Sequence, residues 1–465
     1  MELKSGDNVV IAGGGPAGSL AAIILMDHAS TMDLPLEVTV LEKKDFDKQG
    51  HGGCNSCAGV VSTQLVDDLS KMGIHIPEHV IQRYIDGYTV ETPRESLSMT
   101  DANEHIVTVF RGNGPGRASY DESVSFDGFS KSEAEKRGAQ FVNTTVTSIT
   151  PPKSLEERVA ITTKVSAKEG EVVYEADLLI GALGMPGVKI FEDAGFGYKK
   201  ARTVRLAQTE IAMDPETIGD IFGKHVHVYY LDIPGIWHAA ITPKREYITV
   251  SILSSGNSSR ETSRSLRQKL DQFLNHDAIT RKVTDRLPDD QAIADALERG
   301  MVLEPSCFCA PEMPYKDSVN PYGDRIAIIG DAAYSRLFKN GVESAFTTAE
   351  MAVKAALDHG VSREELKAHY HEPAARRFND DNRYGRALFR IGGYSSRVRG
   401  MVDSHLRVAQ TDSDNGRRLK DMYWSMSTAG KPYRDIFADV LHPGLLMEIG
   451  IASVRGVVPA YVRRR

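Results

Sequence analysis

The sequence predicts an α/β fold: a parallel sheet assembled from scattered segments, an inserted antiparallel β-sheet, and a helical region at the C-terminal end. Three observations carry this expectation. Short, mostly apolar runs recur at Asn8 to Ala12, Glu37 to Leu41, Asp177 to Ala182 and Arg325 to Gly330, the pattern of strands covered on both faces. From Thr203 to Leu253 the residues instead alternate apolar and polar, most clearly in His225 to Asp232 and Glu246 to Leu253. Beyond Ser362 the chain reads mostly as helix and loop, and 465 residues are too many for one compact core.

The first strand, Asn8 to Ala12, is followed at once by glycines, then by a helical stretch from Ala17 to Met26. Glu37 to Leu41 is the second strand, closed by the acid Glu42. This is a βαβ unit of minimal length. Gly13-Gly14-Gly15-Pro16-Ala17-Gly18 satisfies G-x-G-x-x-G in that strand–helix context. Gly13 permits the tight turn, Gly15 lets backbone N–H groups approach a pyrophosphate, and Gly18 allows close helix–strand packing. The helix N-terminus at Pro16 and Ala17 adds partial positive charge for phosphates. Glu42, with Lys43 beside it, lies where a carboxylate accepts hydrogen bonds from ribose hydroxyls, which disfavours a 2′-phosphate. The bland alternative is a structural Gly-rich turn. The fingerprint alone says dinucleotide and does not separate NAD from FAD.

Further along, Gln49 to Ser62 is a Gly/Cys-rich loop, and Phe126 to Gly138 reads as a helix. Phe141 to Ile149, Val159 to Ser166 and Val172 to Tyr174 look like a meander. Glu261 to Leu274 and Val342 to His359 read as helices, the second ended by Gly360. The strands of the dinucleotide fold thus recur across a β-rich insertion. The expected division is a Rossmann-like cofactor domain from residues 1–75, 105–190 and 300–360, a substrate β-sheet domain from 76–104 and 191–299, and a helical region over 361–465.

Gly330-Asp331-Ala332-Ala333 follows a strand and precedes Lys339-Asn340-Gly341-Val342 and a helix. Here the chain resembles flavoproteins of the p-hydroxybenzoate hydroxylase fold. The resemblance implies FAD as cofactor, with Asp331 on the ribityl chain and the Asn340–Val342 loop at the flavin's pyrimidine edge. Within that fold the chain resembles the geranylgeranyl reductase group. The matching pieces are Cys57-Ala58-Gly59-Val60-Val61-Ser62, which that group places beside the flavin; Phe126-Asp127-Gly128-Phe129 with Gly138-Ala139 after it; Arg111-Gly112, where such enzymes often carry an Arg near the cofactor; and Pro234 to Trp237 running to Pro243-Lys244 over the substrate cavity. There are departures. Leu183 stands where the hydroxylases usually have Asp, Trp237 and Pro243 are not in the group's Trp-x-Phe-Pro spacing, and Tyr334 replaces the Pro usual after Gly-Asp-Ala-Ala.

The resemblance implies an FAD-dependent oxidoreductase that reduces carbon–carbon double bonds of an isoprenoid or other lipophilic substrate. Cys57, Trp237 and His238 are the candidate catalytic residues, with Tyr229 and Tyr230 as alternative proton donors. Arg336 and Lys339 either bring positive charge to the flavin edge or are solvated. His51 and His442 read as surface or packing residues. No second nucleotide fingerprint is visible, so electrons are expected from NAD(P)H bound transiently or from a reduced protein donor. Two rivals share the fold: a flavin monooxygenase, and an electron-transfer subunit of a larger complex with a redox partner.

The four cysteines fall in close pairs, Cys54/Cys57 and Cys307/Cys309. They fit small-residue packing, a thiol pair exchanging electrons with the flavin, or a four-thiolate metal site. Packing is the preferred reading, and no metal site is assigned. The net charge of −7 gives no reason to expect nucleic acid. From Arg376 to Arg465 about 17 Lys/Arg face about nine Asp/Glu. This basic region is either solvated or turned to a membrane surface. No apolar run approaches a membrane span, although Leu441 to Val462 suits lying on one. A cytoplasmic protein is the expectation, with a peripheral position at the inner face of the membrane as the alternative.

Overall fold

The computed structural model describes residues 1–465 except 55–56, 117, 155, 166–169, 256–260, 286–302, 339, 396–397, 399 and 463–465, and of 454–462 the backbone alone. The expected boundary near residue 300 therefore lies outside the described residues, as does Lys339.

A six-stranded sheet runs in the order Tyr322–Gly323, Ile326–Ile328, Leu178–Gly181, Asn8–Ala12, Glu37–Glu42, Gln140–Asn143. All pairs are parallel except the one made by the edge strand Tyr322–Gly323. Its central strands are apolar because helices and a second sheet bury them: Val9, Ile11, Leu178, Leu179 and Ile326 have no solvent contact. Ala12 pairs with both Gly181 and Leu41, and Gly181 with Ile328. That register brings Gly13, Glu42, Ala182 and Gly330 to one edge, the carboxyl edge where open α/β sheets bind ligands.

The segment Phe141 to Ile149 is not one meander strand. Gln140–Asn143 joins the parallel sheet beside Glu37–Glu42, and Thr145–Thr150 starts the three-stranded antiparallel sheet with Val159–Lys164 and Glu171–Ala176. The break is at Thr144, whose N–H bonds Glu42 O at 3.1 Å. Alternation marks a strand but not its partner, so one run of residues served two sheets.

A seven-stranded sheet carries the β-rich insertion, in the order Glu312–Pro314, Thr203–Ala212, Tyr247–Ser254, Ile236–Pro243, His225–Tyr229, Gly87–Glu91, Ser96–Thr100. It is antiparallel except where His225–Tyr229 meets Gly87–Glu91 in parallel. Residues near 305 to 314, expected on the cofactor side, run instead along its edge against Thr203–Ala212. The helices Thr63–Lys71, Val188–Asp193, Pro215–Phe222 and Asp277–Thr284 were not anticipated; Pro215–Phe222 is started by Asp214, whose carboxylate accepts from Thr217 N at 3.0 Å.

The two faces of this sheet differ. Ala207, Ile211, Ala239, Ile241, Val250 and Ile252 pack outward on Ser263–Leu274 and Pro215–Phe222. The opposite face holds Glu210, Thr249 and Thr242 in one cross-strand row and Gln208, Ser251 and Ala240 in the next. Farther along the same face Tyr88, Val90 and Val226 pack with Leu388, Leu406, Leu419 and Tyr433 of the C-terminal helices. Those helices also grip the cofactor side: Tyr433 donates to Leu337 O at 2.5 Å, and Leu337 N donates to Asn382 Oδ1 at 2.9 Å.

Candidate flavin site

The glycine loop has the geometry its spacing predicts. Gly13 has φ +102°, and a Cβ there would lie 2.4 Å from Ala182 O. A Cβ on Gly18 would lie 1.8 Å from Gly13 O, so neither position admits a side chain. The helix Pro16–Thr31 has no side-chain cap and no acid in its first turn, leaving its N–H groups and dipole for an anion. The Glu42 carboxylate accepts from Gly14 N and Lys44 N, both at 2.7 Å, which fixes it beside the loop and leaves acceptor sites free. Lys43 is exposed. Lys44, which spacing did not single out, turns inward and donates to Cys54 O at 2.5 Å. Burial lowers its pKa, while nearby Cys54, Glu42 and Asp127 work the other way.

The Cys57–Ser62 loop and the Asn340–Val342 loop come together through side chains. Ser62 Oγ donates to Glu343 Oε2 at 2.6 Å, and Asn340 Nδ2 donates to the same oxygen at 2.7 Å. Ser62 also caps the helix Thr63–Lys71. Gly59, at φ +74°, accepts from Val109 N at 2.7 Å, which lays the loop against the strand leading to Arg111. Asn340 is in the left-handed region, and the helix Gly341–Asp358 starts there without a side-chain cap.

Arg111 sits between these loops. Its guanidinium makes two bonds to the fully buried Asp127, at 2.6 and 3.2 Å. Burial opposes its charge, but Asp127 and then Cys57 more than offset this and push its pKa above the ordinary arginine value. Asp331 lies within reach of the same positive charge. Burial raises its pKa; Ser335 and Arg111 oppose the rise. Its Oδ1 has no solvent contact and no hydrogen-bond partner, and a Cβ added at Gly341 would lie 3.7 Å from it.

Trp237 is turned to the cofactor side by a register shift between Ile236 and His238. Its ring stands edge-on to Phe338 and Phe389, both at 5.9 Å. Trp237, Phe389, Tyr230, Ile233 and Tyr394 are among the walls of a cavity of about 650 Å³, within the range of small-molecule sites. His238 rests on Tyr230, rings 5.9 Å apart, and does not line that cavity. Tyr230 is half-buried, and desolvation pushes its pKa up to about 12. Tyr229 points to the other face, against Phe273. Arg336 is committed elsewhere: it lies 4.2 Å over the Tyr433 ring and donates to Lys431 O. His51 and His442 are exposed.

All four cysteines are free thiols. Burial raises the Cys307 pKa; the charges of Glu210 and Cys54 add to the rise, and hydrogen bonds from the Glu210 backbone and Thr209 oppose it. Among the described residues no group of three or more metal-ligating side chains converges.

No known protein-family profile matches the chain. The chain is 22% identical over 336 residues to the geranylgeranyl diphosphate reductase of Synechocystis sp. (strain ATCC 27184 / PCC 6803 / Kazusa), covering 70% of this chain and 68% of that one. Its fold is that of a geranylgeranyl bacteriochlorophyll reductase-like protein from Thermoplasma acidophilum, with a TM-score of 0.65 at 16% identity, covering 94% of this chain and 99% of the other. A flavin-dependent brominase shares it too, with a TM-score of 0.56 at 15% identity over 99% and 100% of the two chains. The chain therefore has the α/β fold of flavin-dependent enzymes, and its resemblance to geranylgeranyl reductases holds in sequence and in fold. Its residues fit FAD: the uncapped helix at Gly15, the side-chain-free cradle at Gly13 and Gly18, and the orphaned buried oxygen of Asp331.

Proposed function

We propose that this protein is an FAD-dependent oxidoreductase that reduces carbon–carbon double bonds of an isoprenoid or similarly lipophilic substrate. The observation that carries the reading is the aromatic-walled cavity beside Trp237, which abuts Phe338 in the same segment as Asn340. A chain in that cavity would touch Trp237, whose ring meets Phe338, two residues before the Asn340 that by resemblance borders the cofactor. FAD, when bound and reduced, supplies the hydride. The glycine loop and Glu42 would hold the dinucleotide end, and the buried Oδ1 of Asp331 would gain a partner. By the resemblance, the start of Gly341–Asp358 would turn its positive dipole toward the flavin's pyrimidine edge, where it would favour negative charge. Arg111, locked by Asp127, keeps a fixed charge beside Cys57. Trp237, Phe338 and Phe389 exclude water. Tyr230, with its raised pKa, keeps its proton at neutral pH and can donate it to the second alkene carbon. The electron source is NAD(P)H or a reduced protein.

The test is turnover of reduced, FAD-loaded protein with geranylgeranyl diphosphate in the absence of oxygen. Product gaining two hydrogens per double bond supports the reading. Dependence on oxygen, with an oxygenated product, overturns it in favour of a monooxygenase.

A further inference from the structure

The helix Pro443–Val462 is apolar on opposite faces over its described side chains, which extend to Ser453. One stripe, Leu445, Ile449 and Ala452, packs into the C-terminal core. Glu448, the lone charged residue from Pro443 to Ser453, also turns inward: its carboxylate accepts from Asn415 Nδ2 at 2.8 Å and Ser413 Oγ at 3.3 Å. The second stripe is Pro443, Leu446, Met447, Gly450 and Ile451, all exposed. That spacing is one helical face. Leu446 is 50% exposed, Met447 67% and Ile451 45%; Leu441, just before the helix, adds 47%.

A helix with two opposite apolar faces buries one in the core and leaves the other for lipid or a partner. Among the described residues no single helix is long and apolar enough to cross a membrane. Tyr433–Val440 and Pro443–Ser453 have the length and composition together, but they meet at a 61° bend. Tyr433 and Ile436 bury the first helix in the C-terminal core, so only Pro443–Ser453 turns an apolar face outward. The sequence supplies the matching charge: from Gly450 to the last residue it has Arg455, Arg463, Arg464 and Arg465 and no acid. An anionic lipid surface complements both the stripe and these arginines. A second copy offers the same basic sequence, not its complement.

We propose that the Leu446–Met447–Ile451 face docks the protein on an anionic bilayer surface, with these side chains at the boundary between headgroups and acyl chains. The proposal stands without the reductase reading, because it rests on a different surface. The test is co-sedimentation of the FAD-loaded protein with vesicles of phosphatidylcholine, alone or mixed with phosphatidylglycerol. Binding is expected to the mixed vesicles and to weaken as salt rises. The triple variant Leu446→Ser, Met447→Ser, Ile451→Ser is expected to bind at least about tenfold more weakly, with its flavin spectrum unchanged. No binding by the wild type, equal binding by the variant, or a wild-type dimer that the variant dissolves would each overturn the proposal.

Discussion

Replacing Asp127 by Asn tests whether Arg111 is held as a buried charge. The carboxylate has no exposure and Arg111 has 12%, and the two share bonds of 2.6 and 3.2 Å. Asn keeps the shape and removes the charge, leaving a guanidinium facing an amide in a site closed to water. Breaking a buried pair by removing one partner costs ~3–5 kcal/mol, whereas replacing both partners by apolar side chains is often neutral. Asp127→Asn is therefore expected to lower the stability of the flavin-free protein by about 3 kcal/mol or more. The double variant Arg111→Met, Asp127→Leu is expected to recover most of that loss. Urea unfolding followed by circular dichroism reads both. A loss under about 1 kcal/mol for Asp127→Asn, the size of an exposed pair, would refute the reasoning. So would a double variant less stable than the single one.

Asp331→Asn should separate stability from binding. A carboxyl whose pKa is raised by folding leaves stability intact below its unfolded value of about 4, and stability falls as pH rises through the raised value. The variant should remove that fall, so the flavin-free protein melts higher than wild type at pH 8, while FAD affinity drops ~tenfold for the lost ribityl bond. Thermal melts across pH and a flavin titration read the two effects; a variant that melts lower at pH 8 contradicts the orphaned oxygen. Ser62→Ala cuts the bond to Glu343 and the cap of Thr63–Lys71, and should weaken FAD about tenfold by fluorescence titration. Unchanged affinity would show that the two loops do not depend on one another. Trp237→Ala should raise KM for a long prenyl substrate ~tenfold or more and leave FAD affinity alone, since its ring contacts are with Phe338 and Phe389. Steady-state kinetics beside a flavin titration checks this, and an unchanged KM would place the substrate elsewhere.

The sequence by itself determined the cofactor half of this protein. Gly18 is legible because its Cβ would strike Gly13 O within the same strand–helix turn, and Gly13 because that turn needs a φ of +102°. The Glu42 position follows from strand length, and the apolar runs at Asn8–Ala12 and Leu178–Gly181 follow from burial on both faces. These are local constraints with fixed spacing. Only the tertiary structure decided what depends on contacts between distant segments. It put Lys44 rather than Lys43 at the site, because the turn after Glu42 sets which side chain points in. It spent Arg336 on Tyr433 and Lys431, and turned Tyr229 away from the cavity that Tyr230 lines. It split 140–150 between two sheets at Thr144. It joined Ser62 to Glu343 across 281 residues and left one oxygen of Asp331 without a partner. Spacing encodes which backbone conformation a residue permits; which neighbour its side chain meets is fixed only when the sheets close.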